Sequence, residues 1–298
     1  MGLLSDVTRH YVLTHPRAER IAHRVESVVR SSAQAREIRR SGSTRIATFG
    51  SREVVLDISN LREFLMYRAL STGGGLAYET GTSRLILAAL EPDSVFVDVG
   101  ANIGYFTVLG LSRLSSAGRG IAFEPNPRTF GRLSQIVTAQ DFPCAVQLIN
   151  AALSDADGFA TLFHSPVEDG RDSLTPVGTR GTPIATMRLD HFDLSGRKIV
   201  MKIDVEGAEE KVLAGMSGVI AGGSSVSIAL EWNPPYAGPS LWSAIRDRFS
   251  VYRIEEGTTH SLHPVSSMME IRRRLTNLWL VRHGDRLPAL PPAPGDAA

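Results

Sequence analysis

An α/β fold built on a largely parallel sheet is the architecture this sequence predicts, and three observations predict it. Short β-rich runs alternate with helical patterns through the middle of the chain, the mark of βα units. The strongest run, Val95 to Val99, empties into a glycine-bearing turn that opens a helical pattern. A second run, ending at Phe123 one βα unit downstream, is followed at once by an acid, Glu124. The 298 residues allow one large domain with additions, or two domains at roughly 150 residues each. Apolar residues make up 43% and charged residues 21%, which excludes disordered and fibrous classes for the chain as a whole.

The elements follow in order. After the Val95–Val99 strand comes a helix from about Ile103 to Leu114, a strand over Gly120 to Phe123, and a helix from Pro127 to Ala139, with Pro127 suited to a first turn. A third strand spans Ala145 to Ile149, and Phe159 to His164 reads as an extra strand. The Gly-, Ser-, Thr- and Pro-rich stretch that runs on to about Pro183 is too long for a simple connector. The alternation resumes with a strand at Lys198 to Ile203, a helix from Glu206 to Met216, a strand at Val226 to Glu231 and a helix from Leu241 to Phe249. Val251 to Ile254 and Leu278 to Arg282 supply the last two strands.

Three segments emerge: a basic helical arm over 1–45, a main domain over 46–287 and a disordered Pro-rich tail over 288–298. The arm carries nine arginines against four acids, and Ile21, Val25, Val28 and Val29 recur in it at helical spacing. It reads as a helix packed on its own domain, with a homo-oligomer contact or a membrane-surface or polyanion contact as alternatives. The tail lacks the apolar content to offset chain entropy.

Other classes fall away on composition. The lone Cys144 can form neither an internal disulfide nor a cysteine-based metal site. A net charge of +1 gives no steering toward nucleic acid. No window reaches the roughly 18 apolar residues of a membrane span, and Asp6, Arg9, His10 and Pro16 interrupt the start where a signal peptide needs an apolar run, so a cytoplasmic location is expected.

The segment VFVDVGANIGYFT puts Asp98, Gly100, Asn102 and Gly104 at a strand-to-helix turn, the ligand crevice of an open parallel sheet. A dinucleotide fingerprint would need glycines at 100, 102 and 105, and Asn102 and Tyr105 stand at the last two. Those glycines serve approach to a pyrophosphate, which S-adenosylmethionine (SAM) lacks, so the loop favours SAM over NAD. Glu124, at the end of the next strand, sits where a carboxylate accepts ribose hydroxyls.

Four blocks in order, DVGANIGYFT, AFEPNP, NAALSD and KIDVEGAEEKVLAGM, resemble the FkbM-type family of class I SAM-dependent methyltransferases, over roughly residues 78–231. The resemblance implies a Rossmann-like, seven-stranded, mostly parallel sheet with a reversed last strand, here preceded by the N-terminal helical extension. It implies SAM as cofactor and O-methylation of a hydroxyl on a sugar, glycolipid or polyketide-type metabolite, in secondary metabolism. Carried over by position, Gly100, Asn102 and Gly104 surround the methionine part of SAM, Glu124 holds the ribose, and Ser154 and Asp155 lie near adenine.

The stretch KIDVEGAEE is the densest in ionisable groups. Lys202, Asp204 and Glu206 alternate, so on an extended strand they share one face. A lysine inside a buried parallel strand is costly unless paired or functional. One reading is an internal ion pair with Glu206 as a helix cap. The other is chemistry, since methylating an alcohol needs a base to take its proton. Glu231, in ALEWNPP beside Asn233, is a second acid within reach, or else a charge stabilised at the sheet edge. Asp204, Glu206 and Glu231 also suit a hard divalent cation such as magnesium, so metal dependence stays open. His164, His191, His260 and His263 read as solvated, and Trp232 and Trp242 as core. The partner is a small-molecule or glycoside acceptor chosen by the segments 155–183 and 232–239. N- or C-methylation, and a non-catalytic SAM- or sugar-binding module, are the alternatives.

Overall fold

The computed structural model describes residues 32–49, 52–72, 78–163, 173–174, 181–256 and 261–289. The apolar stripe Ile21–Val29 and nearly all of the 288–298 tail lie outside them.

Residues 32–41 are helical (α1) and lead into an antiparallel hairpin of β1 (Thr44–Phe49) and β2 (Arg52–Asp57). The 45/46 boundary drawn from composition therefore falls inside β1. Strict alternation in the hairpin buries Ala47, Val54 and Leu56 while Ile46 and Val55 face outward, the period-two pattern of a sheet with one covered face. Helix α2 (Leu61–Thr72) packs beneath it. Glu63 of α2 is 3% exposed, accepts the amide of Asp57 at 2.6 Å and takes the Arg132 guanidinium at 2.7 Å. A buried carboxylate needs such partners, and these weld the N-terminal elements to the main body.

The main sheet has eight strands in the order β12-β11-β13-β10-β9-β3-β4-β5. Five consecutive strands, β3 (Val95–Val99), β4 (Arg119–Phe123), β5 (Ala145–Ile149), β9 (Lys198–Ile203) and β10 (Ser225–Trp232), are all parallel, with β5 at one edge. β13 (Thr276–Arg282) inserts antiparallel between β10 and β11 (Phe249–Ile254). This is the strand order of a class I SAM methyltransferase, with the reversed strand where the resemblance implies it. The eighth strand, β12 (Leu262–Pro264), extends the edge beyond the expected seven. Three residues of mixed character give no pattern by which to foresee it.

Helices cover both faces. α3 (Thr80–Ala89), α4 (Tyr105–Leu111) and α5 (Pro127–Thr138) lie on one, and α6 (Glu209–Ala214), α7 (Ser217–Gly222) and α8 (Pro239–Arg246) on the other. Pro127 does occupy the first turn of α5, and Asn126 caps it by accepting from the amides of Arg128 and Thr129. The expected helix from Glu206 to Met216 starts later, because Glu206 and Gly207 both take positive φ, 50° and 101°, and it is followed by a second short one. Asp190 terminates the break by accepting the Val219 amide at 2.9 Å. The extra strand proves to be β7 (Gly158–Phe163), part of a separate sheet β6-β8-β7 with β6 (Ala152–Leu153) and β8 (Gly181–Met187). Trp232 and Trp242 are core, edge-to-face with centroids 6.3 Å apart.

Candidate active site

β3 leads to β4 and β5 on one side, whereas β9 lies on its other side, so the strand order reverses between β3 and β9. Ligands of open α/β sheets bind in the crevice beyond the carboxyl ends of the strands at such a point. Both sequence-flagged segments converge there.

The loop after β3 is shaped by its own backbone. Gly100 has φ 81°, and a Cβ there would overlap the carbonyl oxygen of Asp204. Gly104 has φ 98°, and a Cβ would meet Leu133 Cδ1 at 2.6 Å. Glycine is required at both because L side chains rarely adopt that region and neither site has room. Asn102 takes φ 52°, which asparagine tolerates better than most residues. Its amide donates to Glu124 Oε2 at 2.9 Å, while Glu124 Oε1 accepts the Asn126 amide at 2.9 Å. These two bonds pin the Glu124 carboxylate just beyond the end of β4.

Two supporting residues were not legible as such. Arg62, on α2, donates to Asn102 Oδ1 at 3.1 Å and Thr129 Oγ1 at 2.9 Å, clamping the loop from outside. Asn150 ties the end of β5 to the turn after β4 through the Glu124 and Pro125 carbonyls. Ser154 is buried and donates to Asp155 Oδ1 at 2.9 Å, and Asp155 is exposed beside it.

On one face of the sheet, four neighbouring strands carry a polar row. Asp98 of β3 stands in register with Lys202 of β9, and Glu231 of β10 with Asn277 of β13. Asp98 is 1% exposed and accepts from Thr107 Oγ1 at 2.6 Å. Burial pushes its carboxyl up to about 6 despite that bond. Lys202 is equally buried, and its Nζ lies 3.1 Å from Asp204 Oδ2 and 4.0 Å from Glu79 Oε2, with the Phe106 ring centroid at 5.3 Å. Burial works against its charge, but Asp204, Glu79 and Glu231 outweigh it and hold the ammonium above its ordinary range.

Asp204, Glu206 and Glu231 come together, with one carboxylate oxygen of each within 4.8 Å of the others. Alternation on a strand does not bring Glu206 there, because β9 ends at Ile203 and the left-handed turn swings it round. It is no helix cap: Ala208 holds that position, and the Glu206 side chain accepts from Asn233 Nδ2 at 3.1 Å. Gly207 is needed because the Tyr236 ring fills the space of a Cβ. Ser173, from the long segment between β7 and β8, donates its hydroxyl to the Glu206 carbonyl. Glu231 Oε2 is buried without a partner among the described residues, and burial first, then Asp204, push its carboxyl up to about 9. His191 is exposed on Asp157 and His263 is exposed on Glu255, while His164 and His260 lie outside the described residues.

The family model described as the methyltransferase FkbM domain matches residues 98–254, which run from Asp98 of β3 past all three acids to the end of β11. This chain belongs to the FkbM methyltransferase family. Among its relatives, the hexuronic acid methyltransferase AglP of Haloferax volcanii is 34% identical over 146 residues, 48% of this chain and 58% of that protein. The match therefore spans less than two thirds of AglP. The methyltransferase sdnD of Sordaria araneosa is 25% identical over 196 residues, 54% of this chain and 75% of that one. A SAM-dependent O-methyltransferase of Thermotoga maritima aligns over 84% of this chain and 82% of its own, with 10% identity and a TM-score of 0.39. The strand order is what fixes the class I fold of this FkbM protein. No helix among its described residues is long and apolar enough to cross a membrane.

Proposed function

We propose that this FkbM-family protein is a SAM-dependent O-methyltransferase acting on a hydroxyl of a sugar-type acceptor, with hexuronic acid glycosides as the first class to try. One observation carries the reading. The glycine loop lies directly against the acidic turn, Gly100 on the Asp204 carbonyl, so a cofactor held by that loop and an acceptor deprotonated by that turn share one crevice.

The residues present fit SAM. The carboxylate of Glu124 stands at the end of β4, where it would accept from the ribose hydroxyls, Gly100, Asn102 and Gly104 line the turn, and the Ser154–Asp155 pair would face adenine. When bound, SAM supplies an electrophilic methyl group on a positive sulfur, a charge that the acids on this face favour. The chain's own task is to orient a hydroxyl and take its proton. Asp204 or Glu206 takes it. Lys202 fixes Asp204 electrostatically, and Asn233 fixes Glu206. Glu231, with its carboxyl raised to about 9, is neutral near pH 7 and offers a hydrogen bond to a second acceptor oxygen rather than a base. The same three carboxylates are spaced for a hard divalent cation, and chelation tests that variant of the reading.

The experiment is SAM turnover against hexuronic acid glycosides, neutral sugars and polyketide alcohols, with and without chelator, together with calorimetry of S-adenosylhomocysteine. Methylated oxygen in the product supports the reading. Methylation of nitrogen or carbon, or binding with no turnover on any acceptor, overturns it.

A further inference from the structure

We propose that Glu79 is a positioning residue of this active site: with Asp204 it brackets the Lys202 ammonium, and so fixes the carboxylate that faces the acceptor. The inference rests on the methyltransferase reading above.

Three non-glycine residues among those described have positive φ: Glu79 at 41°, Asn102 at 52° and Glu206 at 50°. Glutamate is poorly suited to this region, and such strain collects at functional sites. The other two belong to the glycine loop and the acidic turn, so all three border one crevice. Glu79 also occupies the N-cap of α3 without capping it, although Ser, Thr, Asp or Asn would cap there. That task falls to Glu256, from the far end of the chain, which accepts the amides of Gly81 at 2.7 Å and Thr82 at 3.2 Å. Gly81 has no room for a Cβ against the Glu255 carbonyl, so the seam is tight. Relieved of capping, the Glu79 side chain runs inward, where Asn277 Nδ2 donates to its Oε2 at 2.9 Å and Lys202 Nζ lies 4.0 Å from the same oxygen.

The chemistry of lysine explains the need. Its ammonium is a point charge on a flexible stem, and one partly exposed partner at 3.1 Å does not by itself fix its direction. A second carboxylate from another segment, itself tied to β13, confines the ammonium to one place over Phe106.

The test compares Glu79→Gln, Glu79→Asp and wild type, with radiolabelled SAM and the acceptor from the panel that wild type turns over fastest. In Glu79→Gln kcat should fall on the order of 10–100-fold, the scale of a small misplacement at the reacting group. KM for both substrates and S-adenosylhomocysteine affinity should stay within about threefold, because Glu79 acts through Lys202. Glu79→Asp, which keeps the charge, should regain part of the loss. Should Glu79→Gln fail to fold, Asn277→Ala must reproduce the kcat-specific loss. Wild-type kcat in Glu79→Gln, a matching fall in cofactor affinity, or no gain in Glu79→Asp overturns the inference while the methyltransferase reading stands. If wild type itself methylates nothing, that reading falls and the inference falls with it.

Discussion

Asp98 and Lys202 stand opposite each other in the ladder between β3 and β9, both 1% exposed, at the place where the strand order reverses. Neither takes the other as its hydrogen-bond partner: Asp98 accepts from Thr107, and Lys202 donates to Asp204. The lysine is thus a shared counter-charge, with Asp98, Asp204 and Glu79 around it and the protonated Glu231 beyond. Its burial is tolerable only because those acids are there, and their crowding only because it is.

Removing the lysine should therefore cost more than one hydrogen bond. Lys202→Met keeps the stem and deletes the charge, leaving Asp204 and Glu79 without their cation. Deleting one partner of a buried pair costs about 3–5 kcal/mol. The lower end, about 3 kcal/mol, applies because Asp204 and Glu79 keep 29% and 19% side-chain exposure. Urea denaturation at pH 7 reads this directly, and an unchanged midpoint would mean that the acids relax into water.

Much of this was legible in the sequence where the signal is local. Val95–Val99, Ala145–Ile149 and Lys198–Ile203 are strands with the bounds their apolar runs suggest. The glycine loop and the acid after Phe123 lie where strand-turn-helix chemistry puts them. Backbone conformation was not legible: Glu206 reaches the cluster through a left-handed turn that no propensity favours for glutamate. Nor was long-range capping, since nothing near Thr82 announces that Glu256, 174 residues away, will take its amide. Arg62 and Glu79 stayed hidden for the same reason, because each acts on a segment far from its own in sequence.

Glu124 is predicted to be the main polar determinant of cofactor affinity. Glu124→Ala removes the charged acceptor for the ribose and also orphans the amides of Asn102 and Asn126, which it now holds. S-adenosylhomocysteine binding should weaken by about 1–3 kcal/mol, roughly 5- to 150-fold. Calorimetry showing wild-type affinity would move the ribose site elsewhere.

Arg62 gives a milder version of the same effect. Arg62→Ala frees Asn102 Oδ1 and Thr129 Oγ1 without touching the Glu124 bonds. Affinity should drop by about 0.5–1.5 kcal/mol, while removing residues 1–31, which precede α1, should leave it within a few-fold. A truncation that abolishes binding would instead make the arm part of the cofactor domain.

Glu231 makes stability depend on alkaline pH. Its carboxyl is raised by burial from 4.5 to about 9, so between those values the folded state binds a proton that the unfolded state has lost. Stability is therefore highest at low pH in this window and falls as pH rises, by about 1.4 kcal/mol per unit, until roughly pH 9. Glu231→Gln removes this titration. Its denaturation midpoint should resemble wild type most closely at acidic pH and exceed it increasingly from pH 7 to pH 9; parallel curves would show that Glu231 is already ionised at pH 7.

Asp204→Asn and Glu206→Gln separate binding from chemistry. Both side chains project from the turn after β9, whose tightest approach to Gly100 is through the backbone carbonyl of Asp204. S-adenosylhomocysteine affinity should therefore survive either substitution. Losing a general base costs about 10²–10⁴ in rate, and the deeper loss marks the residue that takes the proton. Glu206 already receives a hydrogen bond from Asn233 and Asp204 one from Lys202. Activity that disappears with chelator and returns with magnesium would make the carboxylates metal ligands, with the ion acidifying the hydroxyl. Near wild-type rates in both variants, with and without metal, would take the base away from this turn altogether.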